Sequence, residues 1–389
     1  MKNNQNIWMM GWVSFFTDLA SAMIKPIIPI YVVLVLHEGV DKLGVVVAIS
    51  TFVSFALRWF GGWLSDYFGH IKPFLILGYG LSAITKPMIG FAGSWQGVAL
   101  LSACERFGKA VRAAPKDKLI SLSTNSEKQG RAFGLHKTLD ISGEVVGALV
   151  VFIILYFFGR NEYWIREIFY WTILPSIISM MFLIFFVTDN PDTTLIKNYK
   201  NSEKIANEVF SKNLKLQLVL FFAASFLLVS ESFMLIRAHE AGVLLAFLPL
   251  LVMASTLTQV LLSYFTGKTA DDHGYEKVLL WGITAGLISL LFLAAGQKSF
   301  VALGFVFQGI FMVATINAIR MRLGKFKQAK GKIYGWFYSI HAVVTATGAL
   351  VTGWLWQVLG GTETLLLFAG IYSVLLLLYI SVRNYFRKY

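Results

Sequence analysis

The chain has 389 residues, 57% hydrophobic and only 14% charged, with a net charge of +13 and a mean hydropathy of +0.66. So few charges exclude an ordinary soluble domain, where about a quarter of residues are charged, and recurrent apolar runs of about eighteen residues or more predict a polytopic helical membrane protein. The single cysteine, Cys104, excludes an internal disulfide and a cysteine-cluster metal site.

The N-terminal "MKNNQNIWMM" runs straight into a full-length apolar stretch, with no cleavable signal visible. Twelve spans follow in chain order. The first six are expected over Ile7–Leu36, Leu43–Leu64, Phe74–Phe91, Val98–Leu122, Ala132–Phe158 and Ile165–Val187. The second six are expected over Leu216–Ile236, Val243–Tyr264, Val278–Ala295, Phe300–Met321, Ile333–Leu359 and Glu363–Val382. The polar, lysine-bearing stretch between the two sets is too short to fold alone. The predicted organisation is therefore an all-α protein of two six-helix bundles, residues 1–188 and 216–389, joined by a linker over 189–215. Lys and Arg number about twenty in the termini, the linker and alternate loops, against about five in the opposite loops. That bias places both termini and the linker in the cytoplasm, and it explains the basic excess without invoking nucleic acid.

Within an insertion-scale cost of about 2.5–3.5 kcal/mol each, ionisable groups inside spans need a reason. The first span carries Asp18 and Lys25, two turns apart on one face. The fourth, "CERFGKAVRAAPKDK", sets Glu105, Lys109, Arg112 and Lys116 along one stripe, with Glu105 and Lys109 spaced as a favourable i, i+4 pair. Arg106 lies about 100° round that helix, and Pro115 is expected to bend it. The alternative for the lower part, Lys116 to Lys118, is that it is simply the cytoplasmic end of the span. The fifth holds Lys137, Asp140 and Glu144 on one stripe, with Gly143 and Gly147 forming a small-residue packing face. Glu144 needs a partner, for which Lys25, Lys109 and Arg112 are candidates. Glu231 sits in the seventh span, the counterpart of the first. His341 reads as a packing group, and Arg58 and Lys86 as side chains that snorkel to an interface.

Two stretches repeat. "GGWLSDYFGHIKP" follows the second span and "GKTADDHGYEK" the eighth, and Gly62, Asp66, Gly69 and Lys72 fall in register with Gly267, Asp271, Gly274 and Lys277. "QGRAFGLH", containing Arg131, matches "KGKIYGWF" from Lys330 at nearly the same offset. Matched landmarks in both halves predict duplicated six-helix units, a common transporter plan.

The Gly-x-x-x-Asp-x-x-Gly-x-x-Lys pattern resembles the signature loop of the major facilitator superfamily. "SFFTDLASAMIKPIIPIYV", "KPFLILGYGLSAITKP", "ERFGKAVRAAPKDKLI", "QGRAFGLHKTLD" and "SFMLIRAHEAG" look like a bacterial branch of that superfamily. The resemblance implies the two-bundle fold and a cytoplasmic latch formed by Gly62, Asp66, Gly69, Lys72, Gly267, Asp271, Gly274, Lys277 and Arg131. Gly62 would let helices approach closely, Asp66 would accept from the N–H groups opening the eleventh span near Ile333, and Gly69 would permit the turn. The sequence departs from the family where Tyr67, His70 and Ile71 replace commonly basic residues. It departs again at Ala22 and Lys25, which stand where a glutamate and a tyrosine are common, and at Ala148, where a proline often follows the glycine.

The expected function is secondary transport by alternating access. Asp18, Lys25, Glu105, Arg106, Lys109, Arg112, Lys137, Asp140, Glu144 and Glu231 are the candidates for binding solute and protons in a central cavity. A basic excess there favours an anionic or carboxylate-bearing solute, a carboxylate siderophore being one candidate. Proton coupling through Asp18, Glu144 or Glu231 makes the proton gradient the driving force, with no other cofactor. The alternative is a multidrug or toxic-solute exporter with a mainly aromatic cavity. An intramembrane enzyme is disfavoured, because His136, His239, His273 and His341 lie in separate segments and there is no Gly-x-Ser-x-Gly or Walker loop. The expected partners are a small solute and the lipid bilayer, for a monomer in a bacterial inner membrane with no bound metal.

Overall fold

The computed structural model describes residues 2–57, 70–124, 129–188, 212–324 and 330–388. Helix is the regular structure throughout, with no strand among the described residues. In chain order the main helices are α1 (Lys2–Ile24), α2 (Val40–Ala56), α3 (Lys72–Met88), α4 (Trp95–Leu122), α5 (Gln129–Ile153), α6 (Glu162–Trp171) and α7 (Ile173–Phe186). The second half comprises α8 (Lys212–Leu227), α9 (Glu231–Glu240), α10 (Leu248–His273), α11 (Tyr275–Ala295), α12 (Lys298–Gly324), α13 (Lys330–Leu359) and α14 (Gly361–Lys388). Ten helical stretches among the described residues are long and apolar enough to cross a bilayer. The other two expected spans are α2, described over 17 residues, and α4, whose charges lower its hydropathy.

The breaks have local causes. Pro26 offers no N–H, so the first span stops at Ile24 and resumes as a short helix, Ile27–Ile30, that widens into a π turn over Tyr31–Val35. Pro175 likewise leaves the carbonyl of Trp171 without its usual donor, and the sixth span divides into α6 and α7 at Thr172. The seventh span, expected to be continuous, divides without a proline. Ser230 takes an extended N-cap conformation and Glu231 opens α9, an acid in the first turn that suits the helix dipole. Pro115, by contrast, is accommodated inside an unbroken α4.

The chain forms two compact units, Met1–Glu38 with Ile49–Lys204, and Gly39–Ala48 with Ile205–Tyr389. Gly39–Ala48 therefore packs in the second unit, where a cut at residue 188 would have left it in the first. Glycine is the reason: a Cβ on Gly44 would lie 3.1 Å from the Cα of Gly353 and 2.9 Å from the Ala349 carbonyl oxygen, so α2 and α13 meet backbone to backbone.

In the first unit α1 packs on α5 and α7, and α3 on α4. The packing face read at Gly143 and Gly147 is the one used, for a Cβ on either would overlap the carbonyl of Phe15 or Leu19 on α1. Gly348 of α13 plays the same part against the carbonyl of Phe226 on α8 in the second unit. Helix ends are closed similarly in both. The Tyr31 hydroxyl donates to Ala92 O at 2.6 Å beyond α3, and Arg237 donates to Leu293 O and Ala294 O, at 2.9 and 3.1 Å, at the end of α11. These contacts satisfy carbonyls that a helix terminus leaves unpaired.

The expected loops shift. Gly62, Asp66 and Gly69 lie outside the described residues. In the repeat, α10 stays helical through Gly267 and Asp271 to His273, and Gly274 alone, at φ +88, separates it from α11. That left-handed backbone is why glycine stands there. Lys72 opens α3 and donates to Ile184 O at 2.8 Å and Val187 O at 2.7 Å, capping the end of α7.

Candidate functional site

A cavity of about 250 Å³ lies in the first unit. Its walls are Ser14, Thr17 and Asp18 of α1, Tyr79 of α3, Lys109, Arg112, Ala113, Lys116 and Asp117 of α4, and Lys137, Asp140 and Glu144 of α5. Helical periodicity accounts for the grouping: residues spaced three, four and seven apart share a face, as Lys109, Arg112 and Lys116 do on one helix and Lys137, Asp140 and Glu144 on another.

Part of the wall is a fixed frame. Arg112 is buried and donates from Nη1 to Gly78 O at 3.1 Å and to Ser82 Oγ at 2.6 Å, while its guanidinium lies 4.4 Å from the centre of the Tyr79 ring. Ser14 Oγ is hydrogen-bonded to His136 Nε2 at 2.9 Å and to Tyr79 Oη at 3.3 Å. Thr17 Oγ1 meets Ser179 Oγ at 2.6 Å. Lys86 sits behind Thr17 with no exposed surface and donates to its carbonyl at 3.0 Å, so it is a core residue and does not snorkel.

The rest of the wall is chemically open. Lys137 Nζ pairs with Asp140 Oδ2 at 2.9 Å. Asp140 Oδ1 is buried and accepts no hydrogen bond, and its carboxyl neighbours that of Asp18 on the cavity wall. Among the described residues Lys109, Lys116 and Glu144 make no hydrogen bond or ion pair. The formal charges of the lining balance, with Asp18, Asp117, Asp140 and Glu144 against Lys109, Arg112, Lys116 and Lys137. The basic excess expected for the cavity is therefore not a property of its walls.

The other sequence candidates lie elsewhere. Glu105 is buried, and its Oε2 pairs with Arg106 Nε at 3.3 Å and not with Lys109, which corrects the i, i+4 pairing. Neither Glu105 nor Arg106 lines the cavity. Lys25 is exposed at the break after α1 and is not in the lining either. Glu231 opens α9 in the second unit. His341 is buried and stacks on Phe221 and Phe337, at 5.5 and 6.1 Å between centroids. Arg131 is exposed at the start of α5. Tyr79, Ser14 and Thr17 were missed because hydroxyls inside apolar runs carry no charge signal; their spacing along the stripe faces was the available clue. No group of three His, Cys, Asp or Glu suited to a metal occurs among the described residues.

The profile of the Major Facilitator Superfamily matches residues 10–251 and 232–388. An uncharacterized MFS-type transporter of Methanocaldococcus jannaschii is 29% identical over 397 residues, covering 97% of this chain and 95% of that protein. The multidrug resistance protein MdtG of Proteus mirabilis is 27% identical over 300 residues, 74% of this chain and 72% of its own length. Among solved structures, the nucleoside transporter NupG superposes with a TM-score of 0.73 at 12% identity, covering 97% of this chain and 98% of that one.

Proposed function

The chain belongs to the Major Facilitator Superfamily, and from that premise we propose that it is a proton-coupled secondary transporter of a small solute bearing an anionic group. It is an integral membrane transporter and not an enzyme. The observation that carries the reading is the facing pair Asp18 and Asp140, set in a cavity whose α4 wall presents the unpaired ammonium groups of Lys109 and Lys116. Two neighbouring carboxylates repel, and one proton between them removes that repulsion and gives the bare Asp140 oxygen a donor.

The coupling follows from charge balance. With a proton on the pair, the lining holds one positive charge more than negative, and an anion meets Lys109 and Lys116. Loss of the proton restores a second carboxylate, which competes for the same lysines and expels the anion. Alternating access then carries proton and solute in linked steps. A location in the cytoplasmic membrane with cytoplasmic termini goes with the loop charge bias.

A multidrug exporter is the second reading, supported by the similarity to MdtG. The cavity favours the first, because eight of its twelve lining residues carry a formal charge and Tyr79 is the single aromatic in the lining. The test is uptake of labelled small carboxylates into inside-out vesicles with an imposed pH gradient. Gradient-driven flux that Asp140→Asn uncouples supports the reading; flux of apolar dyes with none of any carboxylate overturns it.

A further inference from the structure

Resting on the anion site just proposed, we infer that the solute is a zwitterion of amino-acid size, with its carboxylate at Lys109 and its ammonium at Glu144. Helix α4 ends at Leu122 and α5 begins at Gln129, so the two run antiparallel. Lys109 lies thirteen residues before that end and Glu144 fifteen residues after that start, about 20 Å deep in each case at 1.5 Å per residue. The two residues thus line one cavity at one depth from neighbouring helices, with opposite charge.

They do not pair with each other. Among the described residues Lys109 makes no ion pair, although Glu105 is one turn away on its own helix, and Glu144 makes none. An unpaired charge inside a span is costly; Asp18 lies near Lys109 and Lys137 near Glu144, yet neither makes an ion pair with it, and a solute set between Lys109 and Glu144 gives each a direct partner. An anion alone would neutralise Lys109 and leave Glu144 bare and repelling it. A cation alone would do the reverse. A solute carrying both groups satisfies both. The cavity of about 250 Å³ has the volume of roughly eight waters at about 30 Å³ each, below the range of about 300–1,000 Å³ usual for drug-sized ligands.

The experiment is thermal unfolding of the purified full chain with each of the common α-amino acids, each set beside its deaminated acid and its decarboxylated amine. At least one amino acid should raise the midpoint well above either counterpart. Glu144→Gln should weaken that amino acid about tenfold or more and remove its advantage over the deaminated acid, while Glu144→Asp, which keeps the charge, should retain it. Equal stabilisation by the deaminated acid in the unaltered protein overturns the zwitterion and leaves the anion site standing. Stabilisation by amines alone overturns both. No stabilisation by any amino acid, or an undiminished advantage in Glu144→Gln, overturns the inference.

Discussion

Lys86, without exposed surface, donates its ammonium to the carbonyl oxygen of Thr17 at 3.0 Å, one residue from Asp18. A buried amine in the middle of the first unit thereby holds the stretch of α1 that carries half of the carboxyl pair. Removing it leaves that carbonyl without its donor and Glu105 short of a neighbouring cation. Lys86→Ala should lower stability by about 2–3 kcal/mol. Unfolding followed by thiol-dye labelling at Cys104 gives the measurement, and a midpoint equal to that of the parent protein would remove Lys86 from the frame.

Arg112 is expected to act on stability more than on binding, because its hydrogen bonds join α4 to the Gly78 carbonyl and Ser82 of α3. Arg112→Ala should cost about 2–3 kcal/mol. Arg112→Lys should recover little, since an ammonium cannot reproduce the planar fork or its stacking on Tyr79. Full recovery by lysine would show that only the charge counts.

At the carboxyl pair, Asp18→Asn should fold and bind, since its amide can donate to the bare oxygen of Asp140 in place of the shared proton. Transport in this variant should no longer respond to the pH gradient, although exchange of solute down its own gradient persists. Gradient-driven accumulation at the parental rate would contradict the proton role.

Gly274 joins α10 to α11 at φ +88. Gly274→Ala forces a side chain into the left-handed region and should destabilise by about 1–2 kcal/mol, although a Cβ there meets no atom within 4 Å. A neutral result in thermal unfolding would mean that the junction relaxes to another backbone conformation.

The latch role is tested at the exposed end of α10. Asp271→Asn should slow transport while leaving membrane insertion intact, and Asp66→Asn should slow it more. Parental rates in both variants would return these residues to a purely topological part.

Apolar run length determined that the chain is a bundle of membrane helices, because a backbone in lipid has to bond to itself. The repeat at Gly267, Asp271, Gly274 and Lys277 showed two matched halves. Stripe spacing brought Lys109, Arg112, Lys137, Asp140 and Glu144 to the helix faces that line the cavity, since position on a helix face is a property of sequence separation alone. What spacing cannot supply is the neighbour across the helix boundary. The sequence treated Arg112 and Lys109 alike, yet one is tied down by a carbonyl and a serine on α3 and the other is open to the cavity. Lys25 has the right face and depth to be a ligand, but the break at Pro26 leaves it exposed outside the cavity. Lys86 looked like a snorkelling residue and is sealed in the core. Each outcome depends on which side chain a second helix presents at that level, and only the tertiary packing decides that.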